Sequence, residues 1–218
     1  MSKIKIGKMV LGVCQTNTYF VYRDREEGDG NTVRETIVID PADQGQKIYD
    51  ALNRNGFAVK AVLLTHGHFD HIWGCEGLLQ AAGEEVKLYA CRDEQAMLED
   101  SGMNVSAQVG RPCTVKADVF VQDGDIIEAA GMCCKVIATP GHTAGGCCYY
   151  FEEADLLVSG DTLFQESVGR TDLPTGSMGT LVRSIREKLL LLPESTQVYP
   201  GHGDSTTIEH EKKYNPFL

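Results

Sequence analysis

The sequence has no apolar run near the roughly 20 residues that a membrane-spanning helix needs, and Met9–Val13 is too short for a secretory signal core. It has no basic surplus either. Its 20 Lys and Arg residues stand against 31 Asp and Glu residues, a net charge of −11, which argues against nucleic-acid and anionic-membrane partners. None of the eight cysteines forms a Cys-x-x-Cys pair, so a zinc ribbon or a thioredoxin-type site is disfavoured. We interpret them mostly as buried thiols and expect a cytoplasmic protein.

Low-complexity segments, linkers and solenoid repeats are also missing from the 218 residues. A chain of this length can bury roughly 70% of its unfolded surface, so a full core needs no disulfide staples. We therefore expect a single domain over residues 1–218.

Short apolar runs alternate with amphipathic stretches along the chain. Residues 36–39, 61–64, 86–90, 133–138, 156–159 and 197–199 are predicted strands, and residues 46–54, 72–82, 92–100, 178–192 and 205–214 are predicted helices. The order of several strands followed by a helix is repeated roughly twice along the chain. This order predicts an α/β fold of two halves packed sheet to sheet, with helices outside, as a four-layer αββα sandwich.

Four local features carry their own expectations. Residues 23–31 read as the surface tip of a hairpin, and Asp123-Gly124 as the turn of a second hairpin. Tyr149 and Tyr150 are neighbours on a strand, so one of them is expected in the core. Residues 101–116 show no period, which fits either a mobile loop near a site or a plain connection.

The segment from Thr65 to His71 places three histidines and one aspartate in the pattern His66-x-His68-x-Asp70-His71. It follows the apolar run 61–64, and Gly67 suits the tight path of a loop. Ligand sites of open α/β sheets favour the carboxyl ends of strands. Imidazole and carboxylate suit zinc, iron and nickel, and four such groups exceed what one open tetrahedral metal takes from a single loop. The pattern therefore favours two metals.

Three further strand ends carry a metal-ligand type of residue beside glycine, namely His142, Asp161 and His202. With the first motif they make a set of seven candidate ligands: His66, His68, Asp70, His71, His142, Asp161 and His202. Of the six histidines only His210 remains, and we interpret it as solvated on a charged helix.

Three other residues near these strand ends have two interpretations each. Asp40 also ends a strand, where it either orients the histidine loop or caps it for structural reasons. Arg170 and Asp172 either shape a substrate entrance or form a local ion pair, and the ion pair is favoured.

The full ligand set resembles that of the metallo-β-lactamase superfamily, and the resemblance spans nearly the whole chain. The loop 169–174 and the tail 206–217 resemble the short bacterial glyoxalase II-like hydrolases more closely. The resemblance implies a four-layer αββα sandwich. It also implies that His66, His68 and His142 hold one metal, that Asp70, His71 and His202 hold the other, and that Asp161 bridges them.

This resemblance implies a hydrolase that binds two divalent ions, zinc by default and iron or manganese otherwise. A hydroxide that bridges the two ions would attack the substrate, a small-molecule thioester or ester. The implied catalytic residues are Asp70 and Asp161. The alternatives within the superfamily are a mononuclear iron persulfide dioxygenase and a lactonase. A β-lactamase is disfavoured because no export signal is seen. Glutathione recognition does not carry over, because the chain ends about sixteen residues after His202, before the helical domain that full-length glyoxalase II enzymes use.

Overall fold

The first half of the chain builds one six-stranded sheet with helices on one face. The structure is a computed structural model that describes residues 3–26 and 32–218. In the sheet, β1, β2 and β3 are antiparallel, and β3, β4, β5 and β6 are parallel. The elements of this half are β1 (Ile4–Leu11), β2 (Thr16–Glu26), β3 (Thr32–Ile39), α1 (Gly45–Arg54), β4 (Phe57–Leu63), α2 (Phe69–Ile72), α3 (Cys75–Ala82), β5 (Lys87–Cys91), α4 (Gln95–Leu98) and β6 (Val119–Val121).

The second half forms another six-stranded sheet in the order β14-β13-β10-β9-β8-β7, in which only β10 and β13 run parallel. A small separate hairpin of β11 and β12 follows β10. The elements are β7 (Ile126–Ala129), β8 (Met132–Ala138), β9 (Cys147–Phe151), β10 (Leu156–Gly160), β11 (Leu163–Phe164), β12 (Ser167–Val168), α5 (Met178–Lys188), β13 (Gln197–Pro200), β14 (Thr206–Thr207) and α6 (Ile208–Tyr214).

Three apolar clusters define four layers. The central cluster joins the facing sides of the two sheets, with Ile37 and Leu63 from the first and Val136 and Phe151 from the second. A second cluster packs α1 and α3 on the outer side of the first sheet, and a third packs α5 on the outer side of the second. The predicted αββα sandwich is confirmed. That one domain spans residues 1–218 stays a prediction.

Several local predictions need correction. The predicted helix 72–82 is divided into α2 and α3, because Gly74 N–H donates to Pro41 O at 2.8 Å between them. The turn at Asp123-Gly124 joins the two sheets and does not close a hairpin, since β6 pairs with β5 and β7 pairs with β8. The predicted helical tail begins with the short strand β14 before α6.

Three further predictions concern the two tyrosines, the hairpin tip and the cysteines. Tyr149 and Tyr150 are both buried, because β9 is covered by the opposite sheet on one face and by α5 on the other. In the predicted tip at residues 23–31, β2 continues to Glu26, and residues 27–31 lie outside the described residues. Five of the eight cysteines are buried, in agreement with their interpretation as mostly buried thiols.

The packing of α1 on α3 gives a stability prediction. A Cβ at Gly45 would lie 1.9 Å from Gly74 O and 2.4 Å from Leu78 N, whereas a Cβ at Gly179, near the start of α5, would meet nothing within 4 Å. Overpacking of this kind costs about 3 kcal/mol or more, so we expect Gly45→Ala to lower the free energy of unfolding by that amount. Gly179→Ala should raise it by about 0.5 kcal/mol, because alanine favours helix. Urea titrations of both variants measure the difference, and equal midpoints would contradict this packing.

Candidate metal centre

The histidine motif occupies the connection from β4 to α2. His66 and His68 lie in the loop, Asp70 and His71 lie in the first turn of α2, and the three histidines are buried. Gly67 has a different role from the predicted one, since its φ lies outside the left-handed region. Its missing side chain lets the loop pack against α4, where a Cβ would be 3.2 Å from both Leu98 Cδ2 and Met97 Cγ.

The seven predicted ligands converge from the two sheets. Their ligand atoms form three groups, each within 4.8 Å: His66 with His68 and His142, Asp70 with His71 and His202, and His66 with His71 and Asp161. The third group shares one member with each of the others. Asp161 therefore lies between the first two groups.

Distances to the Asp161 carboxylate describe the same arrangement. Its Oδ1 is 3.4 Å from His71 Nε2, and its Oδ2 is 3.6 Å from His142 Nε2 and 3.5 Å from His202 Nε2. Its two oxygens thus face imidazoles of both outer groups. This is the position that a bridging carboxylate requires.

Asp40 fixes the orientation of two of the imidazoles. Its Oδ1 accepts Thr65 N–H at 2.8 Å, and its Oδ2 accepts Thr65 Oγ1–H at 2.6 Å and His71 Nδ1–H at 2.9 Å. Because Thr65 Oγ1 donates to Asp40, it can accept the proton of His66 Nδ1, which lies 3.1 Å away. In their neutral forms, which metal binding requires, His66 and His71 then both carry their lone pair on Nε2, directed into the site. Of the two interpretations of Asp40, the structure supports orientation of the histidine loop.

The second sheet positions the remaining ligands. The Nδ1 of His142 donates to Arg170 O at 2.7 Å, so its Nε2 also carries a lone pair, and that atom is 2.9 Å from His68 Nδ1. Glycine makes the approach of Asp161 feasible, because a Cβ at Gly201 would lie 2.2 Å from its Oδ1. Gly160 has φ of +48° and packs on Thr65, where a Cβ would lie 2.3 Å from Oγ1.

Unsatisfied polar atoms show that these residues fit bound cations. Buried polar groups normally have hydrogen-bond partners. Within the described residues, the buried side-chain atoms of this site without a partner are His66 Nε2, His68 Nε2, His71 Nε2 and Asp161 Oδ1. Five imidazoles and two carboxylates are a donor set that suits zinc or iron.

The pKa values of His66, His68 and Asp70 agree with this fit. Burial lowers the pKa of His68 to about 3, and burial together with the neighbouring His71 holds the pKa of His66 well below its usual value. Burial opposes ionisation of Asp70, but His71 and His202 hold its pKa at about 2. The His66 and His68 side chains are therefore neutral and Asp70 is ionised, which are the states a metal ligand needs. Burial lowers the pKa of His71 and His202, but the Asp70 and Asp161 carboxylates outweigh it and raise the pKa of His71 well above its usual value and that of His202 to about 9, so a bound cation would displace a proton from each of these two imidazoles.

Asp40 gives a prediction for metal affinity. The asparagine side chain has one carbonyl oxygen and one NH₂ group in place of two carboxylate oxygens. Asp40→Asn must therefore place an N–H donor against Thr65 or against His71. Loss of an outer partner of a ligand typically costs 10- to 100-fold in metal affinity, and we expect about that loss, larger at the group that contains His71. Competition with a chromophoric chelator measures it. Asp43→Asn is the matched control, because Asp43 pairs with Arg111 outside the site, and an equal effect in both variants would contradict this role of Asp40.

Sequence reasoning missed Glu94, a buried carboxylate that joins both ligand loops. Its Oε1 accepts Gly67 N–H at 2.8 Å, and its Oε2 accepts Gly145 N–H at 2.8 Å and Thr143 Oγ1–H at 3.0 Å. Burial raises the pKa of Glu94 to about 7, although these three donors oppose the shift. Most of its partners are backbone groups, so no sequence pattern could have identified it. Glu94 ties the loop of His66 and His68 to the loop of His142.

Thr16 is a second residue that the sequence did not single out for the site. Its Oγ1 donates to Asp70 Oδ2 at 2.8 Å, and the neighbouring Asn17 donates through Nδ2 to Pro200 O at 2.9 Å and to Gly203 O at 3.0 Å. The start of β2 thus supports Asp70 and also the loop that carries His202.

A cavity of about 600 Å³ opens beside the ligands and is lined by Asp70, His142, Asp161 and His202 among others. Arg170 also lines it, and the predicted ion pair forms, with Nε and Nη2 donating to Asp172 at 2.7 and 2.8 Å. The segment 101–116 contributes Val105 and Val109, so it borders the site.

His210 lies outside the three groups, with Nε2 at 2.9 Å from Glu166 Oε1, and is about one-third exposed. In the described part of the chain, no helix is long and apolar enough to span a membrane.

Sequence comparison identifies relatives over almost the whole chain. The profile of the metallo-beta-lactamase superfamily matches residues 11–202. A protein named "Probable metallo-hydrolase YqgX" from Bacillus subtilis (strain 168) is 37% identical over 219 residues, which cover 99% of this chain and 98% of that protein. "Hydroxyacylglutathione hydrolase GloC" from Haemophilus influenzae (strain ATCC 51907 / DSM 11121 / KW20 / Rd) is 34% identical over 191 residues, which cover 85% and 88% of the two chains.

Solved structures show the same similarity. One described as BLEG-1 B3 metallo-beta-lactamase superposes with a TM-score of 0.86 at 35% identity, covering 98% of this chain and 99% of that chain. Another, described as TTHA1623 in a di-iron-bound form, superposes with a TM-score of 0.80 at 32% identity, covering 97% and 100%.

Proposed function

This chain belongs to the metallo-beta-lactamase superfamily, and from that premise we propose that it is a dinuclear metal-dependent hydrolase of a small-molecule thioester. The observation that carries the proposal is the position of Asp161 between two groups of three candidate ligands. The di-iron form of a similar structure supports two metals per chain, and the donor set suits zinc as well as iron. The hydroxyacylglutathione hydrolase among the relatives supports the thioester as substrate class.

In this proposal His66, His68 and His142 would hold the first cation, Asp70, His71 and His202 would hold the second, and Asp161 would be a ligand of both. Two bound cations supply a Lewis acid for the carbonyl oxygen and lower the pKa of water. The reaction is hydrolysis, in which water adds to the carbonyl carbon, the C–S bond breaks, and a carboxylic acid and a thiol leave.

The chain's own residues keep the ligand set in one geometry. Asp40 holds the lone pairs of His66 and His71 towards the site, and Arg170 O does the same for His142. Asp70 and Asp161, the residues we propose as catalytic, face the cavity as ionised carboxylates. No serine or cysteine nucleophile is required, which agrees with burial raising the pKa of Cys75, Cys91, Cys134, Cys147 and Cys148.

We further propose a cytoplasmic location, which suits buried thiols that remain reduced, and substrate partners that are small molecules and not membranes or nucleic acid. A cavity of about 600 Å³ is the size of a small-molecule site.

The test compares reactions of one preparation loaded with zinc and one loaded with iron. We expect the zinc form to release free thiol from S-lactoylglutathione or from simpler thioesters, and Asp161→Asn to abolish the release. Oxygen uptake with glutathione persulfide by the iron form, without thiol release by the zinc form, would instead establish a dioxygenase. Opening of a chromogenic β-lactam without thiol release would place the chain with the lactamases, one of which superposes well.

A further inference from the structure

The cavity beside the metal ligands has an apolar wall. Apart from the ligands, Cys14, Ser167 and Arg170, its lining residues in the described part of the chain are hydrophobic: Phe69, Val105, Val109, Phe164, Val168 and Leu173. Val109 is 48% exposed. At this residue the wall therefore reaches the cavity rim as exposed apolar surface. In a soluble protein, contiguous apolar surface beside a site indicates what the site binds.

Val105 stands in this wall with a strained backbone. Its φ is +71°, in the left-handed region, where a β-branched residue is a genuine outlier. Glycine or asparagine would adopt this conformation with less strain. Since the backbone conformation alone would favour glycine or asparagine, we attribute the presence of valine here to its side chain, which is 8% exposed and lines the cavity.

Two buried neighbours maintain the conformation of Val105. Asn104 donates through Nδ2 to Cys113 O at 2.9 Å, and its Oδ1 accepts Ser106 N–H at 2.9 Å. Ser106 Oγ accepts Cys113 N–H at 2.9 Å, and Asn104 O accepts Phe69 N–H at 3.0 Å, directly after His68. Strain persists where the surrounding structure over-determines it, and such positions cluster at functional sites. The loop is thus fixed to the metal-binding segment with its valine against the cavity.

The charged residues that line the cavity also favour an apolar substrate over glutathione. Glutathione has two carboxylates, which proteins recognise through arginine and lysine. Among the described residues that line the cavity, Arg170 is the one such cation, and its Nε and Nη2 both donate to Asp172 at the surface. The wall thus offers apolar contact area and one cation that already has a carboxylate partner.

We propose that the substrate of this site, given the thioesterase function proposed above, has an uncharged apolar group on its thiol side, and that Val105 is a specificity-determining residue for that group. The reaction is unchanged: water adds to the carbonyl, the C–S bond breaks, and an apolar thiol and a carboxylic acid are released.

The experiment uses zinc-loaded protein and two thioesters that share the lactoyl group. One has glutathione as its thiol and the other has phenylmethanethiol. We expect kcat/KM for the phenylmethyl thioester to exceed that for S-lactoylglutathione by about tenfold or more, since hydrophobic groups in a matching pocket discriminate by about 10- to 200-fold.

Variants locate the preference in the wall. Val105→Thr keeps the branched shape and places a hydroxyl group in the apolar surface. We expect it to lower kcat/KM for the phenylmethyl thioester about fivefold or more, mainly through KM, with less than about twofold change for S-lactoylglutathione. Val109→Thr repeats the test at an exposed position, and Val10→Thr is its matched control, since Val10 is 53% exposed and does not line the cavity.

Each result decides one question. Thiol release from neither thioester overturns the proposed function together with this inference. Release with higher kcat/KM for S-lactoylglutathione overturns the inference alone. Equal losses on both thioesters in Val105→Thr and Val109→Thr show that the valines only support the fold, and this also overturns the specificity role.

Discussion

Asp161→Ala should reduce tightly bound metal from two ions per chain to fewer than one. Asp161 is the one proposed ligand that faces both outer groups, with Oδ1 3.4 Å from His71 Nε2 and Oδ2 3.6 Å from His142 Nε2. Removal of an outer partner of a ligand costs 10- to 100-fold in metal affinity, so loss of a shared ligand should cost more than about 100-fold at both positions. Elemental analysis after extensive dialysis measures the remaining metal.

Two controls separate this effect from damage to the fold. Asp161→Asn keeps the shape of the side chain and removes its charge, so its occupancy should also fall while its melting temperature in the metal-free state stays near that of the parent protein. His210→Ala should leave metal content unchanged, because His210 pairs with Glu166 outside the ligand groups. Depletion of metal by His210→Ala, with full occupancy in Asp161→Ala, would reverse the assignment.

Glu94→Gln should lower the free energy of unfolding by on the order of 3 kcal/mol, because it leaves a buried donor unpaired. The carboxylate accepts three hydrogen bonds with both of its oxygens, and glutamine replaces one oxygen with an NH₂ group. In either orientation this group faces Gly67 N–H or Gly145 N–H. Because Gly67 lies between His66 and His68, and Gly145 lies three residues after His142 in the same loop, we also expect weaker metal binding. Urea titration and a chelator competition measure the two effects.

Glu99→Gln is the matched control for this substitution. Glu99 lies five residues further along and is exposed, with Oε1 near Gln95 Nε2 at 3.0 Å. A surface change of this kind should stay within about 0.5 kcal/mol. Similar stability of the two variants would contradict the role of Glu94 as a tie between the ligand loops.

The ligand set was accessible from sequence because its information is local and chemical. His66, His68, Asp70 and His71 lie in one loop, and the other three candidates follow strands beside glycine. The carboxyl ends of several strands meet in space, so residues at such ends can converge. The grouping by geometry matches the division that the family resemblance implies, and the assignment of each residue to a metal stays a prediction.

What sequence could not provide depends on contacts between distant segments. The Asp123-Gly124 turn looks the same whether the strands beside it pair with each other or with different sheets, and only sheet assembly decides. Tyr149 and Tyr150 alternate along β9, but both become buried once α5 covers the outer face. Glu94 has no signature at all, because a carboxylate that binds backbone N–H groups needs no particular residue type as its partner.

Metal stoichiometry of the parent protein tests the central claim most directly. The protein is purified without added metal, saturated with zinc, dialysed and measured by elemental analysis against quantified chain. Two ligand groups joined by Asp161 predict two zinc ions per chain at saturation. One ion or fewer per chain at saturation would contradict the dinuclear site and the hydrolase built on it.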